Sequence, residues 1–424
     1  MSREMKKSGI EWIGTIPADW NVSQLRMFFG RRIHKNKELK VKNLLSLSYG
    51  NVIRKNIETK EGLLPESFDG YNIVEPGDIV IRGTDLQNDH RSLRTGLVTE
   101  HGIITSAYMT LMPITGVNSE YYHYLLHSYD LAKVFYSMGG GLRQSLNYWD
   151  FCRMLVLHPL TSEQRQIVHF LDRKCSAIDT AIEKTKESIE KLEEYKKSVI
   201  TKAVTKGLDP DANMKDSGVE WIGEVPEGWE IKQLRMFYSR RANKNKGLLE
   251  KNLLSLSYGN IIRKNIDTKE GLLPESFEGY NIVEKGDIVI RGTDLQNDHK
   301  SLRTGLVTER GIITSAYMTL MPKNDINSEY YHYLLHCYDI EKVFYSMGGG
   351  LRQSLEYWNF IRTPVLEPLK KEQEEIVIYI KDKCSAIDAL ITKKQKAISK
   401  WEEYKKSLIY YAVTGKIDCR NEAV

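Results

Sequence analysis

One stretch of the chain is written twice. Residues 82–100 read RGTDLQNDHRSLRTGLVTE, and residues 291–309 repeat it with Lys300 in place of Arg91. The same offset of 209 residues joins Asn43 to Asn252, Gly139 to Gly348, Glu163 to Glu372 and Asp209 to Asp418, so no insertion breaks the register. Between residues 43–113 and their counterparts six positions differ, most of them mildly, as Val52 against Ile261 or Glu58 against Asp267. A repeat of about 200 residues is a domain with attached elements, because solenoid repeats are several times shorter. Two or more domains also suit 424 residues, a length beyond a single core.

Each copy has two parts with different periods. In the first, NLLSLSY (43–49) alternates apolar and polar residues, GDIVI (77–81) is a short β-branched run, and GIITSAYMTLM (102–112) is another. A helix should begin at Asn118 or Ser119, which cap well, and end at the glycines 139–141. The second part runs about 45 residues from Thr161 or Ser162 without Gly or Pro until Gly207. Cys175, Ile178, Ile182, Thr185, Ile189, Leu192, Lys196, Val199 and Ala203 alternate in steps of three and four, which is a heptad seam. Cys384, Ile387, Ile391, Lys394, Ile398, Trp401, Lys405, Leu408 and Ala412 repeat it. A helix of about 40 residues is about 60 Å long, too long to bury its stripe on one small domain.

The two stripes are therefore expected to bury each other. A whole domain separates them, which gives the chain room to pair the helices antiparallel, with pairing between chains as the competing reading. The expected fold is mixed α/β: domains at 1–160 and 207–369, joined by helices at 161–206 and 370–415 in an intramolecular antiparallel coiled coil. An approximate twofold axis would follow, which is the symmetry of B-DNA half-sites.

Composition narrows the function classes. Lys plus Arg number 61 against 56 for Asp plus Glu, so net charge permits nucleic-acid binding without arguing for it. Cys152, Cys175, Cys337, Cys384 and Cys419 form no CxxC, no apolar run approaches a membrane span, and the start lacks a signal-peptide core. A cytoplasmic protein without membrane contact is expected. The glycines at 139 and 348 lead into LRQS rather than a phosphate-binding loop, and no FxGxG-like loop accompanies an Asn/Asp-Pro-Pro-aromatic motif. His123 and His127, like His332 and His336, share a helical spacing that suits metal ligands, but no third ligand accompanies them. Packing among neighbouring tyrosines is the plainer account, so no metal and no catalytic residue is expected.

SGIEWIGTIPADW (8–20), PLTSEQRQI (159–167) and AVTKG (203–207), each with a counterpart one repeat later, resemble the specificity subunits of type I restriction-modification systems. The resemblance covers nearly the whole chain. It implies two target recognition domains, each reading half of a split double-stranded DNA sequence, and a coiled coil that sets the spacer and docks two modification subunits. Those subunits would use S-adenosylmethionine to methylate adenine, and restriction subunits would use ATP with Mg for translocation and cleavage; this chain would bind no cofactor. One feature departs from the family pattern, since recognition domains normally differ and these are near copies. The alternatives are a stand-alone DNA methyltransferase or nuclease with an unrecognised site, and a non-specific coiled-coil adaptor.

The candidate DNA-binding residues follow from groove chemistry. Arg addresses guanine bidentately, and Gln or Asn addresses adenine. The repeated loop offers Arg82, Gln87, Asn88, His90, Arg91 and Arg94, and then Arg291, Gln296, Asn297, His299, Lys300 and Arg303; Asp85 and Asn88 could also serve only to shape it. GGGLRQS adds Arg143, Gln144 and Ser145 with Arg352, Gln353 and Ser354. SYGNVIRKN adds Tyr49, Asn51, Arg54 and Lys55 with Tyr258, Asn260, Arg263 and Lys264, its cations better suited to phosphates. Lys-rich EEYKKS (193–198) reads as a solvated helix face.

Overall fold

The computed structural model describes residues 3–58, 67–89, 92–139, 145–267, 274, 276–296, 298, 302–348 and 354–420. It forms two compact units, one of Met1–Thr185 with Gln395–Val424 and one of Lys186–Lys394. Each unit thus contains one copy of the globular part and a piece of the other copy's long helix.

In the first unit, β1 (Met5–Lys7) and β2 (Thr15–Pro17) pair antiparallel, and β3 (Asn21–Gln24) waits for a partner late in the chain. Next come β4 (Phe29–Arg31), the hairpin β5 (Leu44–Ser48) and β6 (Asn51–Lys55), and β7 (Asn72–Val74). Then follow β8 (Ile79–Ile81), β9 (Thr95–Leu97), β10 (Gly102–Ile104), β11 (Met109–Pro113) and β12 (Leu155–His158), which pairs with β3. Two four-stranded sheets result, in the orders β6-β5-β10-β7 and β4-β11-β8-β9. The expected single run at 102–112 is two strands, because a turn in which Tyr108 N donates to Thr105 O at 3.1 Å sends β10 and β11 to different sheets. Ile79, Ile81 and Leu111 turn into the main core with Trp20, Tyr121 and Tyr129.

Helix α1 (Ser119–Leu131) starts where expected, with Asn118 accepting from Tyr121 N at 3.1 Å. It stops short of the glycines. Lys133 takes a left-handed φ of 60°, and a 3-10 turn at Val134–Ser137 precedes α2 (Tyr148–Phe151). The long helix α3 (Thr161–Lys206) then leads into the second unit.

That unit repeats the first, with helices α4 (Ser328–Ile340), α5 (Val343–Ser346) and α6 (Tyr357–Phe360) before the long α7 (Lys370–Val413). One sheet orders Tyr238–Arg240, Met318–Pro322, Ile288–Ile290 and Thr304–Leu306. The other is a hairpin, Leu254–Ser257 with Asn260–Arg263, and an antiparallel pair, Asn281–Val283 with Gly311–Ile313, linked by a single parallel bridge, Leu253 to Ile312.

The long helices pair antiparallel within each unit. In the first, Lys405 Nζ donates to Asp179 Oδ1 at 2.7 Å; in the second, the equivalent Lys196 Nζ donates to Asp388 at 2.7 Å. EEYKKS is therefore more than a solvated face, since Lys196 reaches across the seam. Ile178, Ile182, Val199, Ile387, Ile391 and Leu408 are buried, and Ile189, Leu192 and Ile398 are partly so. Trp401 corrects the seam assignment: it is 40% exposed, its ring edge-on to Tyr404 at 6.1 Å, being too bulky to interleave beside the half-buried lysines.

The shared motifs close each globular part. Trp20 Nε1 donates to Glu163 at 2.9 Å, and Trp229 Nε1 to Glu372 at 2.9 Å. The end of α7 lies on the first unit, where Lys416 Nζ donates to Ile13 O at 2.7 Å. Gly415, at φ 70°, sits so close that a Cβ would lie 2.4 Å from Pro17. Gly207, at φ 74°, packs likewise on Trp229 and Pro226 of the second unit.

Candidate nucleic-acid interface

The antiparallel registers of β4, β11, β8 and β9 bring the end of β4, the end of β8 and the start of β9 to one edge of a sheet. The repeated polar loop leaves from this edge after Ile81 and returns at Thr95. Burial of Leu86 at its centre anchors it, and Asp85, at a left-handed φ of 56°, turns it. Asn88 Nδ2 donates to Asp85 Oδ1 at 2.8 Å, so this pair does shape the loop.

Arg94 needs correction as a DNA contact. It is fully buried, and its guanidinium donates to the carbonyls of Thr84 at 2.8 Å, Asp89 at 2.5 Å, Asp85 at 3.2 Å and Arg82 at 3.2 Å, with Tyr136 Oη at 3.1 Å. Its two terminal nitrogens serve the loop's own backbone, while Nε donates to Tyr136. Arg303 repeats this network around Thr293, Asp294 and Asp298. Beneath them, Asp130 accepts from Arg94 N at 2.5 Å, and burial raises its carboxyl to about 6 against that bond; Asp339 matches it.

The other described candidates of the loop are partly or fully exposed. Arg82 is partly exposed and pairs with Asp89 at 3.3 Å; Arg291 pairs with Asp298 at 2.7 Å. Both pairs keep the arginine partly open to solvent, with the carboxylate largely covered. Gln87 and Gln296 are exposed, as is Asn88. His90, Arg91, Asn297, His299 and Lys300 lie outside the described residues, as do Arg143, Gln144, Arg352 and Gln353.

Both other candidate stretches converge on this loop. Leu146 N donates to Gly83 O at 2.7 Å, which places exposed Ser145 beside it; Leu355 and Gly292 repeat the bond at 2.7 Å, with Ser354 partly exposed. On the other side, the β5–β6 turn approaches Leu93 so closely that a Cβ on Gly50 would lie 3.1 Å from its Cδ1. Tyr49 at that turn is 84% exposed and Tyr258 79%, both with a left-handed φ of 46°. Asn51, Asn260, Lys55 and Lys264 are exposed, while Arg54 and Arg263 pair with Glu100 and Glu309.

Below the turn a cleft of about 660 Å³ runs between α1 and the helices, lined by Glu120, His123, Asp172 and Asp179. Its carboxylates disfavour phosphate. Burial holds His123 neutral, lowered to about 3 with help from His127, and lowers His127 to about 4 with help from Lys405; His332 and His336 match. Among the described residues no group of three or more His, Cys, Asp or Glu could hold a metal. No described helix is long and apolar enough to cross a membrane.

Three side chains at the same sheet edge were passed over in the sequence: Arg31, Tyr148 and Trp149. Duplication of YWDF as YWNF was the available signal, but aromatic residues on a short helix read as core.

No family model matches the chain. The type I restriction enzyme MjaVIII specificity subunit of Methanocaldococcus jannaschii is 26% identical over 284 residues, covering 62% of this chain and 62% of that protein. A protein of the same organism, named as the type I restriction enzyme MjaX specificity subunit, is 24% identical over 96% of this chain and 95% of its own. Among solved structures, one described for complex assembly and conformational transition of the type I R-M system matches with a TM-score of 0.67 and 13% identity, over 95% of this chain and 99% of that one. The HsdS subunit from Thermoanaerobacter tengcongensis matches with a TM-score of 0.50 and 12% identity, over 95% and 98%.

Proposed function

We propose that this chain, which fits the HsdS family of type I restriction-modification specificity subunits, recognises a split DNA sequence with one half read by each unit. The observation that carries this is the duplicated loop, whose carbonyls are gathered on a buried arginine at the same sheet edge in both copies. A loop braced in this way and displaying Arg, Gln and Asn side chains suits readout of base edges, whose discrimination depends on geometry. The chain has no catalysis of its own. Methyltransferase subunits using S-adenosylmethionine would dock on the helices, and restriction subunits using ATP with Mg would join them.

Selection tests the reading. The purified chain with its methyltransferase partner, offered a random-sequence duplex library, should enrich a bipartite motif with an unspecified spacer. Enrichment of no sequence over background would refute it and favour a non-specific adaptor, while methylation or cleavage by the chain alone would favour the enzyme reading.

A further inference from the structure

Resting on the DNA-recognition reading, we propose that Arg31, Tyr148 and Trp149, with Arg240, Tyr357 and Trp358 in the second unit, form a further DNA-contacting surface beside each polar loop. Arg31 meets a phosphate, and Trp149 lies against the duplex as an apolar wedge. Trp149 is 64% exposed and Trp358 72%, whereas Trp20 and Trp229 are buried. An indole left in water forgoes a large hydrophobic gain, and both copies do so at the same position.

The ring is presented, not loose. In the first unit Asn147 Oδ1 accepts from Trp149 N at 2.8 Å, and the Tyr148 ring stands edge-on to Trp149 at 5.2 Å, as Tyr357 stands to Trp358 at 5.1 Å. On the tyrosine lies the arginine, with Arg31 Cζ 5.3 Å from the Tyr148 ring centre and Arg240 Cζ 5.6 Å from that of Tyr357. Both arginines are exposed, and neither has a carboxylate partner among the described residues, unlike Arg54 and Arg82. The bond from Leu146 N to Gly83 O ties the surface to the loop. An unpaired cation beside an exposed aromatic ring complements a ligand that is anionic along its backbone and apolar between its charges, as duplex DNA is; wedging side chains of this kind unstack base steps. The copies differ at two points here: Glu356 replaces Asn147 and removes the cap that holds the ring, and Asn359 replaces Asp150, so each surface carries one carboxylate. Without the cap the second indole is held less firmly, so the second surface should bind more weakly.

The test uses the full chain and a fluorescein-labelled duplex enriched by the wild-type chain. Trp149→Ala with Trp358→Ala should weaken binding at least tenfold with the salt slope nearly unchanged. Arg31→Ala with Arg240→Ala should lower that slope by about two, one per phosphate. Glu356→Asn should strengthen binding. DNA should also quench tryptophan emission in the wild type, and that quench should vanish in Trp149→Phe with Trp358→Phe, which preserves packing. Wild-type affinity in both alanine variants, or a quench that survives the phenylalanine changes, overturns the proposal and leaves the recognition reading intact. Intact DNA affinity with lost methyltransferase assembly would instead make this a protein-docking surface, and also overturns it. A wild-type chain that enriches no duplex would sink the recognition reading itself.

Discussion

Arg94 carries its guanidinium wholly out of water, and among the described residues its hydrogen bonds go to carbonyls and Tyr136 rather than to a carboxylate. Carbonyls from Arg82 to Asp89 replace the water, so removing the side chain leaves several buried acceptors unpaired at about 1–3 kcal/mol each. Arg94→Ala with Arg303→Ala should lower the thermal midpoint and weaken binding to every duplex alike. Arg82→Ala with Arg291→Ala should leave the midpoint nearly unchanged and act on recognition, relaxing one base per half by about 1–3 kcal/mol or lowering the salt slope. Scanning fluorimetry beside duplex titration separates the two, and equal midpoint losses would contradict this division. Nothing in the sequence distinguishes the two arginines: each stands in the same polar loop, and the partners that bury Arg94 are main-chain carbonyls, whose direction no residue type announces. The histidines act through pH. His123, His127, His332 and His336 sit near 3 to 4 when folded, below the ordinary value near 6.5, so the stability they lend is present above pH 6.5 and lost as pH falls toward 4. Asp130 and Asp339, raised to about 6, oppose this over the same window, because their contribution is lost as pH rises through 6. Asp78 and Asp287, also raised by burial, act in the same sense, but the four histidines carry the larger shifts and outweigh them. The midpoint should fall between pH 7 and 5, and His123→Asn with His332→Asn should flatten that fall; an identical slope in the variant would refute the assignment.

At the scale of elements, the long helices were legible and the short ones were not. A heptad seam without Gly or Pro over 45 residues has few alternatives, and α3 spans Thr161–Lys206. By contrast, α1 ends at Leu131 because Lys133 turns left-handed, a conformation that lysine does not signal, while the glycines expected to stop it lie further on. Nor does periodicity reveal that each globular part is closed by the end of the other copy's helix. A fragment of residues 1–208 would leave Pro17 and Trp20 without the cover that Gly415 and its neighbours supply, and would expose half of its seam. It should therefore dimerise, with Gly207 of one copy taking the place of Gly415 on the other. Light scattering should give twice the fragment mass. In the full chain, Gly415→Val should destabilise the first unit, since its Cβ would overlap Pro17 and its φ of 70° disfavours a β-branched residue. A monomeric fragment that supports no methylation with its partner subunit would count against this closure.

For the whole molecule, duplication decides what kind of target is read. Two reading surfaces with the same sheet edge, the same arginine post and the same polar loop should recognise the same word. If the paired helices relate them by a twofold axis, the two words lie on opposite strands, as an inverted repeat about an unspecified spacer. Half-sites should then stand about one helical turn apart, roughly 10 bp centre to centre, with one methylated adenine per half on opposite strands. Most differences between the copies spare the readout: Glu58 against Asp267 and Pro76 against Lys285 lie outside the three converging stretches. Two do not. Lys300 cannot reproduce the bidentate fork of Arg91, so one base can differ if that position reads the groove. The second is the paired change on the flank, Glu356 for Asn147 with Asn359 for Asp150, which touches no candidate base-reading side chain and so should alter affinity for one half while leaving its sequence alone. Single-molecule methylation mapping of a genome carrying this subunit with its methyltransferase should accordingly return a palindromic split motif, degenerate at no more than one position per half. Halves that differ at more than one base would refute the symmetric reading, and would place specificity in the few substitutions between the copies.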